Sequence, residues 1–503
     1  MDLFGNLALG FSTALSPWNL LYCGFGAFLG TLIGVLPGIG PLATISLLLP
    51  LTVSLSPETS LIMLAGIYYG AQYGGSTTAI LLNLPGEATS AVTAIDGHQM
   101  AKQGRAGPAL AIAAVGSFIA GSIGTAFVAA FSIPLTWLAL EFTSAEYFSL
   151  LILALMSAII LSSASVLNSL SMLTFGILLS LVGADRTTGT MRFTFGYFEL
   201  ADGISLVAVA IGLYGLAEIL RNLNDRSEGP VQVSEIQGLM PTRQDMRRSA
   251  MPITRGALIG SMLGVLPGGG ALLSSFASYA VERRLSRSPA EFGQGAIEGV
   301  AGPESANNAS AQTSFIPMLT LGIPANGTMA VMAGALIIQG IVPGPTVATN
   351  NPELFWGVIA SMWIGNLMLL ILNFPLIGIW VRLIKIPYDF LFPAIIAFSA
   401  LGIFSMTQNV FDIYELVMFG LAGFVLSKFG YEPTPMLLGF VLGPVIEEHL
   451  RRALSISNGD PSIFLSRPIS VAFLILSVGL LITIAVPSVL RIRQQVFREK
   501  GDT

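Results

Sequence analysis

The chain has 503 residues, of which 53% are hydrophobic and only 10% are charged. Soluble domains carry about 25% charged residues, so a soluble protein is excluded and most of the surrounding solvent must be lipid. The net charge of −5 gives no sign of nucleic-acid binding, and the single cysteine, Cys23, excludes an internal disulfide or a cysteine-based metal cluster.

Long uncharged runs predict membrane helices along nearly the whole chain. They cover residues 3–57, 106–140, 147–184, 305–352, 354–381 and 468–490. One crossing needs roughly 20 apolar residues, so we predict an all-α polytopic membrane protein with about 11–13 segments, some of them broken or re-entrant. The start, MDLFGNLALGF, lacks the basic residues of a cleaved signal peptide, and we expect it to be retained.

A helix-breaking phrase occurs twice in these runs: GVLPGIGP begins at Gly34 and GVLPGGGA begins at Gly264. Five positions match at a constant offset, with Gly30, Gly34, Pro37, Gly38 and Gly40 opposite Gly260, Gly264, Pro267, Gly268 and Gly270. A looser match follows, with Pro85 and Thr89 opposite Pro324 and Thr328. We interpret the pattern as an internal duplication that forms two inverted repeats, which requires an odd number of crossings between the repeat starts.

Proline and glycine together end a helix inside the membrane and leave backbone groups without partners. Irregular backbone survives there only where it is buried in protein or lines a cavity, and paired breaks in two halves are typical of a secondary transporter's binding site. The alternative is that glycine merely lets helices pack closely. We prefer that alternative for Gly24, Gly26 and Gly30, and a ligand site for the duplicated breaks.

Polar side chains accompany the breaks, and their neutral oxygens suit Na⁺ or hydrogen bonds to carboxylates, although helix-to-helix hydrogen bonding is an alternative role. The candidate binding residues are Pro37, Gly38, Gly40, Ser76, Thr77, Thr78, Asn83, Pro85, Gly86, Thr89, Pro267, Gly268, Gly270, Asn307, Asn308, Thr320, Pro324, Asn326 and Thr328. Glu87 and Glu304 are candidate coupling acids, or caps of half-helices at a mouth of the site. Asp96 and His98 are expected in a solvated loop.

Basic residues favour cytoplasmic loops. Six arginines lie within 221–255, so we place this connection in the cytoplasm, together with the loop 95–107 and the tail 491–503. The connection divides the chain into halves 1–220 and 256–490. We predict that 18–108 and 256–350 form a transport core and that 109–220 and 354–490 form a scaffold.

Four stretches together resemble the large permease subunit of the tripartite tricarboxylate transporters, over about residues 15–490. They are GVLPGIGP, YYGAQYGGSTTAILLNLPGEATSAVTAIDGHQMAKQGRAG, LGVLPGGGALLSSFASYAVER and FGQGAIEGVAGPESANNASAQTSFIPMLTLGIPANGTMA. Leu84 and Gln72 stand at positions expected to vary, and Ala325 stands where the family often has glycine.

The resemblance implies secondary uptake of citrate-like di- and tricarboxylates across the bacterial inner membrane, coupled to Na⁺ or H⁺ and moving by an elevator mechanism. It also implies a periplasmic solute-binding protein and a small membrane subunit of about four helices as partners. No cofactor is expected besides the co-transported ion. The broken-helix motifs contain no Arg or Lys, so cations would have to offset the substrate's charge, and the scarcity of buried acids favours Na⁺ over H⁺.

Other functions stay open or are disfavoured. A passive anion channel would fit the same repeats, and a dimer is an open alternative. A membrane-embedded enzyme is disfavoured because His98 and His449 are far apart and no HExxH or GxSxG pattern occurs. The chain also lacks the GxxxxGK[ST] phosphate loop of an ATP-driven pump.

Overall fold

The computed structural model describes residues 3–36, 40–84, 86–162, 165–185, 188–224, 238–266, 270–383 and 391–485. Most of these residues are helical, which confirms an α-helical protein. Two short strands, β1 (Gly183–Ala184) and β2 (Met191–Arg192), form an antiparallel pair.

The first half contains α1 (Leu3–Ala14), α2 (Pro17–Val35), α3 (Pro41–Thr52), α4 (Pro57–Leu82), a 3-10 turn (Ala88–Ser90), α5 (Ala91–Lys102), α6 (Ala106–Leu140), α7 (Ser144–Leu161), α8 (Val166–Ser180), a second 3-10 turn (Phe198–Leu200), α9 (Leu206–Ala210), a π-helical segment (Ile211–Leu216) and α10 (Ala217–Asn224).

The second half contains α11 (Arg243–Leu263), α12 (Gly270–Leu285), a 3-10 turn (Pro289–Glu291), α13 (Glu298–Thr313), α14 (Phe315–Leu321), α15 (Gly327–Ile338), α16 (Val347–Asn350), α17 (Pro352–Asn373), α18 (Ile377–Leu383), α19 (Leu391–Thr407), α20 (Phe411–Lys428), α21 (Pro433–Ile456), α22 (Ile463–Ser466) and α23 (Pro468–Ala485).

Both copies of the helix-breaking phrase interrupt a helix, as predicted. Helix α2 ends at Val35 and α3 begins at Pro41, while α11 ends at Leu263 and α12 begins at Gly270. Five of the predicted site residues lie outside the described residues, namely Pro37, Gly38, Pro85, Pro267 and Gly268.

Three helices, α2, α6 and α17, are long and apolar enough to cross a membrane, judged by length and composition. The two central helices, α4 and α13, differ from these three in being almost wholly buried in protein. Residues 59–81 of α4 and 299–313 of α13 are all buried. Because protein surrounds these two helices, their side chains need not be apolar, and hydropathy underestimates them. The number of about 11–13 membrane segments stays a prediction.

The outer helices carry large apolar side chains on their exposed faces, as a lipid-facing surface requires. Examples from both ends of the chain are Trp18, Phe28, Trp137, Leu178, Met418, Leu421, Ile475 and Ile482. Together with the long apolar helices, this surface agrees with a multi-pass membrane protein.

Glycines bring α2 directly against α4. A Cβ atom at Gly30 would lie 2.4 Å from the carbonyl oxygen of Ile67, and one at Gly34 would lie 2.4 Å from that of Ala71. No real Cβ tolerates such a distance, so only glycine allows these two backbones to approach. The packing interpretation therefore holds for Gly30.

The second half repeats this packing. A Cβ at Gly260 would lie 2.2 Å from the Ala306 carbonyl oxygen of α13, and one at Gly256 would lie 2.3 Å from that of Gly302. In each half, the helix that precedes the break runs parallel to a buried central helix, with successive glycines one turn apart.

The two pairs of helices run in opposite directions. Ser76 of α4 contacts Glu304 of α13, whereas the earlier residue Tyr68 interacts with Ser314, the C-cap of α13. Helices α4 and α13 are therefore antiparallel. Since α2 runs with α4 and α11 runs with α13, the first pair is antiparallel to the second.

The prediction of a solvated loop at 95–107 is wrong, because residues 91–102 form α5. Asp96 is fully buried, and its Oδ1 accepts hydrogen bonds from the backbone N–H groups of Gly293, Gly295 and Ala296 at 2.8, 2.8 and 2.9 Å. Three backbone donors replace water around this carboxylate. Asp96 thus joins α5 to the loop that precedes α13.

Candidate functional site

After α4 the chain turns back beside the helix it has just left. Asn83 ends α4 in the left-handed conformation, with φ 58°. A Cβ at Gly86 would lie 2.8 Å from the Cα of Gly75, and Thr89 Oγ1 donates to Gln72 Oε1 at 2.9 Å. The break after α4 therefore returns to the middle of that helix, where Gln72 lies.

The break between α14 and α15 makes a similar return. Gly322 ends α14 in the left-handed conformation, with φ 72°, at a position where an L side chain would be strained. Asn326 Nδ2 then donates to Tyr68 Oη at 3.0 Å, and Asn326 Oδ1 accepts the Met329 N–H that begins α15. Since Tyr68 is one turn from Gln72, both breaks reach the same part of α4.

The N-termini of α3 and α15 meet beside this region. The side chain of Leu42, in the first turn of α3, would lie 3.1 Å from a Cβ at Gly327, the first residue of α15. No side chain caps α3 at Gly40. A helix N-terminus offers N–H groups and positive partial charge to an anion, so two of them together suit a carboxylate.

Several buried polar atoms in this region have no hydrogen-bond partner. The clearest are both amide atoms of Asn307, since Gln72 and Glu87 interact with each other. Asn307 is fully buried. Most buried polar groups in proteins are paired, and an unpaired one costs about 1–3 kcal/mol, so these atoms indicate a ligand.

Asn307 faces the same region by helix geometry. Ser314 lies two turns after Asn307 and interacts with Tyr68. Because α4 and α13 are antiparallel, Asn307 then lies near the level of Gly75, where the chain returns after α4. We call this region the central site and define it by Gly40, Leu42, Tyr68, Gln72, Gly86, Glu87, Thr89, Asn307, Asn326 and Gly327. Thr328 is buried in the first turn of α15.

The central site contains no arginine or lysine among its residues, all of which the structure describes. Its donors are backbone N–H groups, the amides of Gln72, Asn307 and Asn326, and the hydroxyl of Tyr68. The Thr89 hydroxyl hydrogen is already donated to Gln72 Oε1. Such groups can orient a carboxylate by hydrogen bonds, but they do not neutralise a multiply charged anion.

A second polar cluster surrounds Glu304, which is fully buried inside α13. Ser76 and Ser117 donate to its Oε1 at 2.5 and 3.3 Å, and Thr93 donates to its Oε2 at 2.8 Å. Asn308 Nδ2 also donates to Oε1, at 3.0 Å. Four helices thus supply neutral donors to one carboxylate, which we call the Glu304 cluster. Glu304 does not cap a half-helix at a mouth of the site.

The other predicted residues have different surroundings. Thr77 lines a small cavity beside the Glu304 cluster, while Thr78 and Thr320 donate to carbonyl oxygens of their own helices. Asn83 is exposed at the end of α4. Gly270 begins α12, and Pro324 is buried in the break before α15.

Sequence reasoning did not select Tyr68, Gln72, Thr93 or Ser117 as site residues. Gln72 was marked only as a variable position, although it is a polar residue of a wholly buried helix segment. Thr93 and Ser117 are single hydroxyls in long apolar stretches, and only the contact with Glu304 distinguishes them from ordinary helix hydroxyls.

A wide surface groove of about 710 Å³ lies elsewhere, between α8, the β1–β2 hairpin and α21. Its arginines are already paired: Arg192 with Glu447 at 2.7 Å, and Arg451 with Asp185 at 3.0 Å. Since acids compensate these cations, the groove offers no free positive charge for an anionic substrate.

Comparison with known proteins identifies the family. The model of the tripartite tricarboxylate transporter TctA family matches residues 20–438. The chain belongs to this family. The match includes both breaks, the central site and the Glu304 cluster, and it makes this TctA-family protein a membrane transporter of the tricarboxylate class.

Two proteins of Agrobacterium vitis are similar to this TctA-family protein. A 52.8 kDa protein of the TAR-I ttuC' 3' region is 57% identical over 500 residues, covering 99% of this chain and 100% of that protein. A protein of the TAR-II ttuC' 3' region is 61% identical over 240 residues, covering 48% of this chain and 99% of that protein. No solved structure matches the chain significantly.

Proposed function

We propose that this protein is the permease of a tripartite carrier that takes up citrate-like di- and tricarboxylates across the bacterial inner membrane, driven by a cation gradient, with Na⁺ favoured over H⁺. Membership of the TctA family supports the tricarboxylate class. A periplasmic solute-binding protein would deliver the substrate, and a small membrane subunit would complete the complex.

One arrangement carries the proposal: two helix N-termini lie together, and helix geometry puts the unpaired amide of Asn307 in the same region. Leu42 at the start of α3 lies against Gly327 at the start of α15. Both amide atoms of the buried Asn307 have no partner. A carboxylate would accept hydrogen bonds from these N–H groups.

The charge balance favours coupling to cations. Each helix N-terminus contributes roughly half an elementary positive charge, so two of them contribute about one. A dicarboxylate or tricarboxylate carries more negative charge than that, and the central site has no Arg or Lys. Bound cations would supply the remaining positive charge and would also make uptake depend on their gradient.

The opposite directions of the two helix pairs support inverted repeats and alternating access. The α2–α4 pair is antiparallel to the α11–α13 pair, and the breaks after α4 and after α14 both return to the central site. In this mechanism the core formed by 18–108 and 256–350 moves against the scaffold.

Hydrogen bonds favour including α6 and α17 in the moving body. Asn308 of α13 donates to Ser117 of α6 at 2.7 Å, and Tyr73 of α4 donates to Asn366 of α17 at 2.5 Å. These buried hydrogen bonds would have to break if α4 and α13 moved while α6 and α17 stayed fixed.

Uptake into proteoliposomes tests the proposal. The vesicles would contain this chain with its small subunit, and the cognate binding protein would be added with labelled citrate or other di- and tricarboxylates. We expect uptake that requires the binding protein and follows an inward Na⁺ gradient. Uptake driven by a pH gradient alone would replace Na⁺ by H⁺, with Glu87 and Glu304 as proton carriers.

A matched pair of variants connects uptake to the central site. Asn307→Ala should lower uptake about tenfold or more, because it removes hydrogen bonds to a charged ligand. Asn350→Ala, an exposed asparagine far along the chain, should leave uptake unchanged. Downhill flux that ignores both gradients would contradict the proposal and favour a channel.

A further inference from the structure

A small cavity lies next to the Glu304 cluster, between α4, α6 and α17. Its volume is about 10 Å³, and Tyr73, Ser76, Thr77, Ser117 and Asn373 contribute its polar lining. A cavity of about 10–15 Å³ holds one water-sized particle. The cavity is thus large enough for a single water or a single bare cation.

The polar lining presents oxygen atoms to this cavity. Ser76 and Ser117 both donate their hydroxyl hydrogens to Glu304 Oε1. One Ser117 lone pair accepts from Asn308 Nδ2 at 2.7 Å, which leaves its second lone pair and those of Ser76 for the cavity. Asn373 is buried, its Nδ2 donates to Thr31 and Leu369, and its Oδ1 has no partner. These oxygens come from three different helices.

Oxygen atoms around a small space are the environment that a hard cation prefers. Glu304 lies behind the two serine hydroxyls and accepts a hydrogen bond from each of them. No Lys or Arg donates to its carboxylate among the described contacts, which all come from Ser76, Thr93, Ser117 and Asn308. A cation in the cavity would therefore compensate a buried charge that only neutral donors now stabilise.

We propose that this cavity is a Na⁺ site, with Ser76 Oγ, Ser117 Oγ and Asn373 Oδ1 as ligands and Glu304 as the positioning residue that orients both hydroxyls and supplies the counter-charge. The inference rests on the proposed function only in taking Na⁺ as the coupling ion. It deepens that function because the ion then binds beside the central site and joins α4, α6 and α17.

The position of the cavity also explains how a bound ion would affect the residues of the central site. Ser76 is one turn from Gln72 on α4, and its hydroxyl lies 3.1 Å from the Gln72 carbonyl oxygen. Glu304 is one turn before Asn307 on α13. Occupancy of the cavity thus fixes both buried helices next to the residues that face the substrate.

Binding of ²²Na⁺ to the purified full chain in nanodiscs tests the inference without any substrate. We expect saturable binding that Na⁺ displaces and choline does not. Ser117→Ala and Ser76→Ala should each weaken it about tenfold or more, and Glu304→Gln should do the same through the lost counter-charge.

Two variants serve as matched controls. Ser132→Ala makes the same change at another fully buried serine of α6, and Glu415→Gln neutralises a buried acid of α20. Both should bind ²²Na⁺ like the unmodified protein. Thermal melts of every variant in K⁺ separate loss of binding from loss of folding, and Na⁺ should raise the Tm of the controls but not of Ser117→Ala.

The outcomes distinguish this inference from the proposed function. Na⁺-driven uptake that Ser117→Ala and Ser76→Ala leave intact would place the coupling ion elsewhere and overturn the inference alone. Absence of saturable ²²Na⁺ binding would overturn it too and leave a water in the cavity. Na⁺ binding that is lost in Ser117→Ala, in a protein that transports no carboxylate, would instead overturn the proposed function.

Discussion

The two central helices, α4 and α13, are alike in burial and different in how their polar atoms are used. On α4 the polar groups interact with other side chains, Tyr69 with Cys23 and Ser361, and Gln72 with Glu87 and Thr89. On α13 the unpaired buried atoms are Ser305 Oγ, both amide atoms of Asn307, Asn308 Oδ1, Ser310 Oγ and both amide atoms of Gln312. Because unpaired buried groups are costly, the difference indicates that α13 carries more of the ligand contacts and α4 more of the support.

The largest expected effect comes from replacing Asn307, which tests whether α13 contacts the ligand. Asn307→Leu keeps a similar side-chain volume and removes the amide. We expect uptake to fall about tenfold or more, while the free energy of unfolding stays the same or rises, because a buried amide without partners is replaced by an apolar group. Uptake and the Tm of the purified protein measure the two effects. A large loss of stability with normal uptake per folded molecule would give Asn307 a structural role instead.

The glycine contacts allow a test of whether the α2–α4 pair and the α11–α13 pair are packed equivalently. Gly30→Ala and Gly260→Ala each place a Cβ about 2.2–2.4 Å from a backbone carbonyl oxygen. Overpacking of this kind costs about 1–3 kcal/mol, and we expect similar losses for both. Gly479→Ala in α23, where nothing lies within 4 Å of the new Cβ, is the control. Denaturant unfolding in detergent compares the three, and a loss at only one central pair would contradict their equivalence.

Gln72→Leu tests the supporting role of α4. Its Oε1 accepts from Thr89, and its side chain also interacts with Glu87. We therefore expect a smaller fall in uptake than for Asn307→Leu, about fivefold, and a loss of stability of about 1 kcal/mol from the broken hydrogen bond. If Gln72→Leu reduced uptake more than Asn307→Leu, the assignment of roles to the two helices would be reversed.

The smallest expected effect concerns how α11 and α2 begin. Asp245 caps α11 and pairs with Arg105 at 2.5 Å, whereas α2 begins with the neutral cap of Ser16. Burial by itself would raise the pKa of Asp245, but hydrogen bonds from Thr242 and Arg105 outweigh it and lower this pKa below the ordinary value. The resulting stability is present above that ordinary value and is lost as the pH falls through the lower, folded one.

We therefore expect Asp245→Asn to destabilise the protein by about 1 kcal/mol or less near neutral pH, since Arg105 is partly exposed and solvent screens the pair. The difference from the unmodified protein should shrink below about pH 4. Ser16→Ala should cost a similar amount at every pH, because no charge is involved. Thermal melts from pH 7 to about pH 3 decide between these results, and a pH-independent effect of Asp245→Asn would contradict the assignment.

The sequence determined the class of the protein and the places where its helices break. Few charges and long apolar runs leave lipid as the solvent, and Pro-Gly phrases interrupt helices wherever they stand, so these predictions depend on local chemistry alone. The looser match of Pro85 and Thr89 with Pro324 and Thr328 likewise predicts a second pair of breaks, although not that they return to α4.

Tertiary structure alone decided which polar residues meet. Asp96 belonged to a charged stretch and was expected in water, yet folding surrounds it with backbone donors from the loop before α13. Thr93 and Ser117 donate hydrogen bonds to Glu304 only because α5 and α6 pack against α13. Helical periodicity places a side chain on a face, but the partner of that face comes from residues about 200 positions away, and local sequence carries no record of such pairings.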